Sequence, residues 1–468
     1  MWSPLGESGR STAGLMIIPP QLGESQGEGL CWWDVVMYLL YDGLLLLASL
    51  GGLPYFTLKS LWVRKYRAGV RQRFGQVPQE VVAALKGTRP LWVHAVSVGE
   101  VIAAAPLVSA LQHRFPQLPI LVSTVTETGQ ATARDKMAAA ACLYFALDYP
   151  WVVRRVLGRI QPRLFLMVET EIWPNFLREL ARQGIPALLV NGRISPRSFR
   201  GYRRLQPFMR HVLQAVTSFN MQTKVDAERI IAIGAEPSRV HITGNIKYDL
   251  ALDSLTSVDE PALRAELGLG DAPVLMAGST HRGEEEIVLE AYLQARTQMP
   301  ALRLLLAPRH SDRLEEIEAL LRHRQLTMRR RSQGRMPSGE TDASVILLDT
   351  IGELAKLYAV GTVVFVGGSF APIGGHNVLE PAAHRKPILF GPHMHNFHQI
   401  AAALLEAGGA LQVQQPAALG GTIIDLLRHP EHQQTLGEAA YRVLRDNQGA
   451  IERNVQLIEQ LLRRDGRA

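Results

Sequence analysis

Cysteine is almost missing from this chain: Cys31 and Cys142 are the only two among 468 residues. A disulfide framework is thereby excluded, and a reducing compartment fits. Cys142 sits in an apolar stretch and reads as a buried small hydrophobe. Long blocks of one charge, a short internal repeat and a heptad pattern are lacking too. So are a helix-turn-helix, an RRM and a zinc-finger pattern, which leaves no nucleic-acid motif for the basic side chains to serve. Histidines gather late, at His376, His384, His393, His395 and His398, but no HxxxH pair with a third ligand accompanies them. We therefore expect no metal and no cofactor.

What is present is globular. Hydrophobic residues make up 47% and charged residues 20%, too apolar for a disordered chain. The net charge of +7 suits an anionic partner such as a phosphorylated substrate or an anionic lipid. Met1 to Leu30 is rich in Gly, Ser and Pro and is expected to be a disordered extension, spanning 1–34. The chain's one long apolar run follows, from Val35 to Phe56, about the length that crosses a bilayer core, interrupted by Asp42. Lys59, Arg64, Lys65, Arg67, Arg71 and Arg73 come next, a flank that belongs on the cytoplasmic side. Because the charges follow the run and no small-residue cleavage site stands out, 35–58 reads as a membrane anchor rather than a signal peptide. A buried core helix is the competing reading.

From Leu91 onward, strand-like apolar runs alternate with amphipathic helical ones. Leu91–Ala95, Ile120–Thr124, Leu164–Val168 and Ala187–Val190 form one set. Val274–Ala277, Arg303–Ala307, Val345–Leu348 and Val363–Val366 form a second. This is the α/β pattern of parallel sheets with helices on both faces. Two such sets predict two Rossmann-like domains facing a cleft, here bounded as 59–248 and 249–468. Arg329 to Ala343, polar and basic, reads as a surface loop. Ligands in such sheets sit at the carboxyl ends of the strands. The segment Ala359–Pro392 shows such an end: a β-branched run, Gly367-Gly368, then Gly374-Gly375 and a helix start at His376–Ala382. Glycines there let backbone approach a ligand, and a helix start offers N–H groups to phosphate. The spacing is not GxGxxG.

Together, GGSF and GGHNVLEPA resemble the C-terminal sugar-nucleotide site of the 3-deoxy-D-manno-octulosonic acid (Kdo) transferases. The same family is matched, in order, by His94–Glu100 (HAVSVGE), Glu169–Asn175 (ETEIWPN), Gly244–Asp249 (GNIKYD), Ala307–His310 and Asp349–Leu354. The resemblance runs from about Met37 to the C-terminus. It implies a GT-B fold and inverting transfer of Kdo from CMP-Kdo to a lipid A precursor, lipid IVA, in lipopolysaccharide core biosynthesis. It also implies residence at the cytoplasmic face of the bacterial inner membrane, on a single N-terminal anchor touching anionic lipid headgroups. A GT-B transferase using another sugar nucleotide and a non-catalytic, membrane-anchored nucleotide-binding protein remain the alternatives.

Read alone, Glu100 is a first-turn glutamate that complements its helix dipole. The resemblance makes it the general base. Glu169 and Glu171, two apart, should point to opposite sides if their strand continues, leaving one in the cleft. The resemblance favours Glu169. It also assigns Lys247 to transition-state stabilisation, where an ordinary surface lysine is the plainer reading. For CMP it implies Pro308, Arg309, Ile351, Gly352, Glu353, Asn377, Val378, Leu379 and Glu380. Arg309 has the planar fork that suits phosphate. Ser279, Thr280, His281 and Arg282 follow another strand and are further lining candidates. No DxD signature lies in these motifs, so cationic side chains are expected to carry the leaving-group charge.

Overall fold

The computed structural model describes residues 32–62, 69–85, 87–253, 258–334 and 343–464. The extension expected to be disordered lies, up to residue 31, outside the described residues. So do the side chains of Lys59, Arg64, Lys65 and Arg67.

The first half forms a parallel sheet of seven strands: β1 (Leu91–His94), β2 (Ile120–Thr124), β3 (Ala141–Tyr144), β4 (Leu164–Val168), β5 (Ala187–Gly192), β6 (Ser218–Met221) and β7 (Val240–Ile242). Their spatial order is β3-β2-β1-β4-β5-β6-β7. A second parallel sheet of seven takes β8 (Val274–Thr280), β9 (Arg303–Pro308), β10 (Met328–Arg330), β11 (Val345–Leu347), β12 (Val363–Val366), β13 (Ile388–Phe390) and β14 (Ala410–Gln412), ordered β10-β11-β9-β8-β12-β13-β14. The helices that matter below are α1 (Trp32–Trp62), α2 (Val98–Arg114), α3 (Pro174–Arg182), α4 (Lys247–Asp253), α5 (Glu284–Gln298), α6 (Leu379–Ala383) and α7 (Ala450–Arg464).

Each sheet is covered on both faces, which is why its strands read as unbroken apolar runs. Along β1, Leu91 and Val93 enter one core and Trp92 the opposite one. Along β8, Val274 and Met276 face one core, Leu275 and Ala277 the other. Both sheets carry their order reversal next to the strand that opens them, β1 and β8, so both put a crevice at their carboxyl edges.

Three expectations change. Arg329 and Arg330 are not surface loop but part of edge strand β10, paired to β11. The rest of that stretch, 335–342, lies outside the described residues. Cys142 lies in β3 half-buried rather than buried. The chain's last helix does not stay with the second sheet. Ala450, Val455, Ile458 and Leu462 of α7 join Leu107, Val108 and Leu111 of α2 in the first sheet's core, and Asn454 Oδ1 accepts from Asn220 Nδ2 at 2.8 Å. Asp249 fixes this return by accepting the Gly449 and Ile451 N–H groups, each at 2.7 Å, so the last residue of the GNIKYD motif caps a helix rather than lining the cleft.

Helix α1 contains Val35–Gly52, among the described residues the one window long and apolar enough to cross a membrane. One of its faces is docked. Tyr38 is buried against Phe208, Arg178 lies 4.0 Å over its ring, and Leu45 packs on the same core. Asp42, which interrupts the apolar run, accepts from Asn175 Nδ2 at 2.6 Å, and Tyr41 donates to Asp148 at 2.9 Å. Leu39, Leu40, Leu44, Leu47 and Leu50 project from the other side, all more than half exposed. The core-helix reading therefore accounts for one face only.

Candidate functional site

β1 ends at His94, fully buried and stacked 3.8 Å from Phe145, with Nδ1 3.0 Å from Ser123 Oγ. Burial pushes the pKa of this imidazole down to about 3, and the ring packs the turn at the strand end. Ser97 caps α2, and Glu100 folds back over that cap. Its Oε2 accepts the Val96 N–H at 2.7 Å and its Oε1 accepts the Ser97 hydroxyl at 2.9 Å. The dipole-complementing role and the base role are thus compatible: the helix start holds the carboxylate in place at the strand end. Burial raises its pKa, and Glu169 adds to that, against these two hydrogen bonds and Arg193.

β4 stops at Val168, and Glu169 takes a left-handed backbone, φ 65°. The strand alternation that would have sent Glu169 and Glu171 apart ends there. Both carboxyls act on Glu100's surroundings instead of one alone. Glu171 is pushed up to about 7, first by burial and then by Glu100. Glu169 lies between two cations, 3.8 Å from Arg193 and 4.0 Å from Lys247. Arg193 escaped the sequence reading. It follows Asn191, a second non-glycine at positive φ, where β5 slips register against β6 at Leu189/Gly192. Such strained residues cost about 1–3 kcal/mol each and collect where function holds them. The Arg193 carbonyl accepts the Thr170 hydroxyl, and Asn191 Oδ1 accepts the Ile246 N–H at 3.1 Å, so the end of β5 ties the ETEIWPN and GNIKYD motifs together. Lys247 opens α4 and holds its ammonium 5.3 Å from the Phe397 ring of the second half, across the cleft.

On the facing edge, β8 ends in Ser279, a third non-glycine at positive φ. Glu284, at the start of α5 and 1% exposed, accepts the N–H groups of Gly368, Ser369 and Phe370 at 2.6, 2.9 and 2.8 Å. This buried carboxylate shapes the GGSF turn; a glutamate just after a glycine turn was its only sequence signal. Gly367 has to be glycine because a Cβ would fall 2.5 Å from the Ser279 carbonyl oxygen.

The glycine pair Gly374-Gly375 corrects an expectation. Both N–H groups donate to the Gly368 carbonyl, at 3.1 and 2.7 Å, and so are spent inside the turn. Helix α6 starts only at Leu379, after Val378. Glu380, its second residue, accepts from Asn377 Nδ2 at 2.9 Å, and burial raises its pKa. Arg309 follows Pro308, exposed, with its N–H on the Thr280 carbonyl at 3.0 Å. Ile351, Gly352 and Glu353 follow β11 on the same sheet edge. Ile351 is 92% exposed, and Glu353 turns its carboxylate to Arg331 at 3.0 Å.

Two doubly wound parallel sheets with polar strand ends facing each other define a GT-B-type enzyme. The solved UDP-GlcNAc 2-epimerase from Neisseria meningitidis shares this fold, with a TM-score of 0.55 at 15% identity over 80% of this chain and 100% of its own. The family model for 3-deoxy-D-manno-octulosonic-acid transferase matches residues 68–250, which hold Glu100, Glu169, Arg193 and Lys247. The Haemophilus influenzae 3-deoxy-D-manno-octulosonic acid transferase is 35% identical over 91% of this chain and 99% of its own length, and the Bordetella pertussis one is 36% identical over 88% and 98%. The chain belongs to the 3-deoxy-D-manno-octulosonic acid transferase family.

Proposed function

We propose that this chain transfers Kdo from CMP-Kdo to a lipid A precursor, lipid IVA, with inversion at the anomeric carbon. The observation that carries the reading is the meeting of Glu100, Glu169 and Glu171 with Arg193 and Lys247, opposite the nucleotide edge. Glu100, made more basic by burial, takes the proton of an acceptor hydroxyl. That oxygen attacks the anomeric carbon as the bond to the CMP phosphate breaks. Lys247 and Arg193 stabilise the negative charge that develops, and Glu169 keeps the two cations in position. Pro308, Arg309, the Ile351–Gly352–Glu353 backbone and Asn377–Glu380 hold CMP. Kdo appearing on lipid IVA only when CMP-Kdo is supplied is the expected result. Transfer from a UDP-sugar instead, or donor binding without any transfer, would overturn it.

Removing the nucleotide contacts gives a separate check. Arg309→Ala should weaken CMP binding by about 1.5–3 kcal/mol, the scale of a charge-assisted hydrogen bond. Glu380→Ala should weaken it as well, through Asn377, which loses its 2.9 Å partner. Unchanged calorimetric affinity in both variants would put the nucleotide elsewhere.

The protein is proposed to sit on the cytoplasmic face of the inner membrane, with the leucine face of α1 in lipid and Arg71 among the basic groups beside it. The acceptor domain is proposed as 59–248 plus the returning α7, and the CMP-Kdo domain as the remainder after 249. Leu44→Lys with Leu47→Lys should release the protein from vesicles while Tyr38 and Asp42 keep α1 docked. Full retention on vesicles in high salt would show that the leucine face is not the anchor.

A further inference from the structure

Two histidines from different strand ends meet beside the nucleotide edge. His281 follows β8, and His376 lies in the turn between β12 and α6. Their Nε2 atoms are 2.8 Å apart, and the two rings meet edge to edge, with centroids 5.1 Å apart and planes 4° from parallel. Gly368, at φ 67°, makes room for them: a Cβ there would stand 2.8 Å from His376 Cδ2 and 3.5 Å from His281 Cδ2. His310 meets His281 edge-on at 5.3 Å, next in sequence to Arg309. The backbone N–H of His281 donates to Glu284 at 2.9 Å, so the residue is fixed by the same carboxylate that shapes the GGSF turn.

An Nε2-to-Nε2 hydrogen bond holds one proton between two rings. One nitrogen donates and the other accepts, so the pair behaves as a single base. We infer that the His281–His376 pair takes up a proton when the phosphate of the departing nucleotide occupies the cleft, and so neutralises charge that the reaction creates there. This inference rests on the CMP-binding reading above. Before transfer the donor phosphate is a diester with one charge. Afterwards the anomeric carbon–oxygen bond has broken, its electron pair stays on the phosphate, and the freed monoester gains a second charge. The acceptor proton goes to Glu100. The proton that charges the histidine pair comes from solvent.

The groups facing the pair fit this role. His281 is faced by Glu284, His310, Arg309 and Arg313, and His376 by His281, His310 and Arg309. Burial first, and the neighbouring cations and rings after it, hold both imidazoles below their ordinary value against the pull of Glu284 on His281, with His376 at about 4. A phosphate dianion beside Arg309 reverses that balance, since an opposite charge within about 4–6 Å favours the charged imidazole.

The test is calorimetric titration of CMP into the full-length, detergent-solubilised protein at about pH 6.5, in two buffers of different protonation heat. The wild type should take up close to one proton more per CMP bound than His376→Gln, and than His281→Gln. Glutamine keeps a hydrogen bond to the remaining ring but cannot charge. Equal proton counts in the wild type and both variants, or no uptake by the wild type across about pH 6 to 7, would overturn the inference while leaving the CMP site intact. Absence of CMP binding in the wild type would instead defeat the CMP-site reading itself.

Discussion

Glu100→Gln should lower the turnover of Kdo transfer by about 10²–10⁴-fold while CMP affinity and the unfolding midpoint stay at wild-type values. Glutamine is the right probe because Glu100 has two duties. Its carboxylate accepts the Val96 N–H and the Ser97 hydroxyl, and a carboxamide can meet both groups: its oxygen accepts from Val96, and its NH₂ donates to the hydroxyl oxygen. What the substitution removes is basicity. The pH profile gives the same information by another route. Burial lifts Glu100 above the ordinary glutamate range, and Glu171 beside it titrates near 7. A base must be ionised, so kcat should fall as pH drops through that raised value, above the ~4.3 of a free glutamate. Glu169→Gln removes the neighbouring negative charge that helps raise Glu100 and should move the acid limb down. Glu100→Gln turnover within tenfold of wild type, or an acid limb at the ordinary glutamate value, would take Glu100 out of the base role.

Periodicity records strands; Glu100 was marked by the resemblance of its motif instead, and Arg193 was marked by neither. Strands buried on both faces leave unbroken apolar runs, so β1, β2, β4, β5, β8, β9, β11 and β12 were legible from Leu91 onward. β3, β6, β7, β10 and β14 were not, and β6, β7 and β10 carry Ser218 and Asn220, His241, or Arg329 and Arg330. β3, β7, β10 and β14 are sheet edges, which pair on one side and need less apolar surface, so composition stops marking them, whereas internal β6 is masked by its own polar residues. At the site, the motifs named the right strand ends, but backbone twists decided which side chains meet. Glu169 and Glu171 lie together because Glu169 leaves the strand in a left-handed turn, which no alternation rule foresees. Arg193 reaches Glu169 through the slipped register of β5, and Gly374-Gly375 spend their N–H groups on Gly368. These are tertiary facts. Asp249 and Glu284 show the complementary case, conspicuous acids whose work is to hold a helix start and a turn.

The largest loss of stability is expected from Asp148→Ala. Asp148 is 4% exposed and accepts three donors: the Asn175 N–H at 2.9 Å, the Phe176 N–H at 2.7 Å and the Tyr41 hydroxyl at 2.9 Å. The two amides open α3, the helix that follows Glu169–Trp173 directly, and Tyr41 belongs to α1. Leaving two buried amides unmet costs roughly 2–6 kcal/mol at about 1–3 kcal/mol each, before α1 loosens. Burial outweighs the three hydrogen bonds and lifts the Asp148 pKa to about 7 from 3.8. Its folded value lies above its unfolded one, so its contribution is fully present below about pH 4 and is lost as pH rises through about 7. Wild-type stability should therefore decline across that window, and the alanine variant should lose this part of the slope along with the stability. Denaturant unfolding in detergent between about pH 5 and 8 measures both, and limited proteolysis of α1 reports whether the helix that carries the leucine face has come free. A variant within about 1 kcal/mol of wild type, with α1 still protected, would mean that Asp148 is not what joins the apolar helix to the loop bearing Glu169 and Glu171.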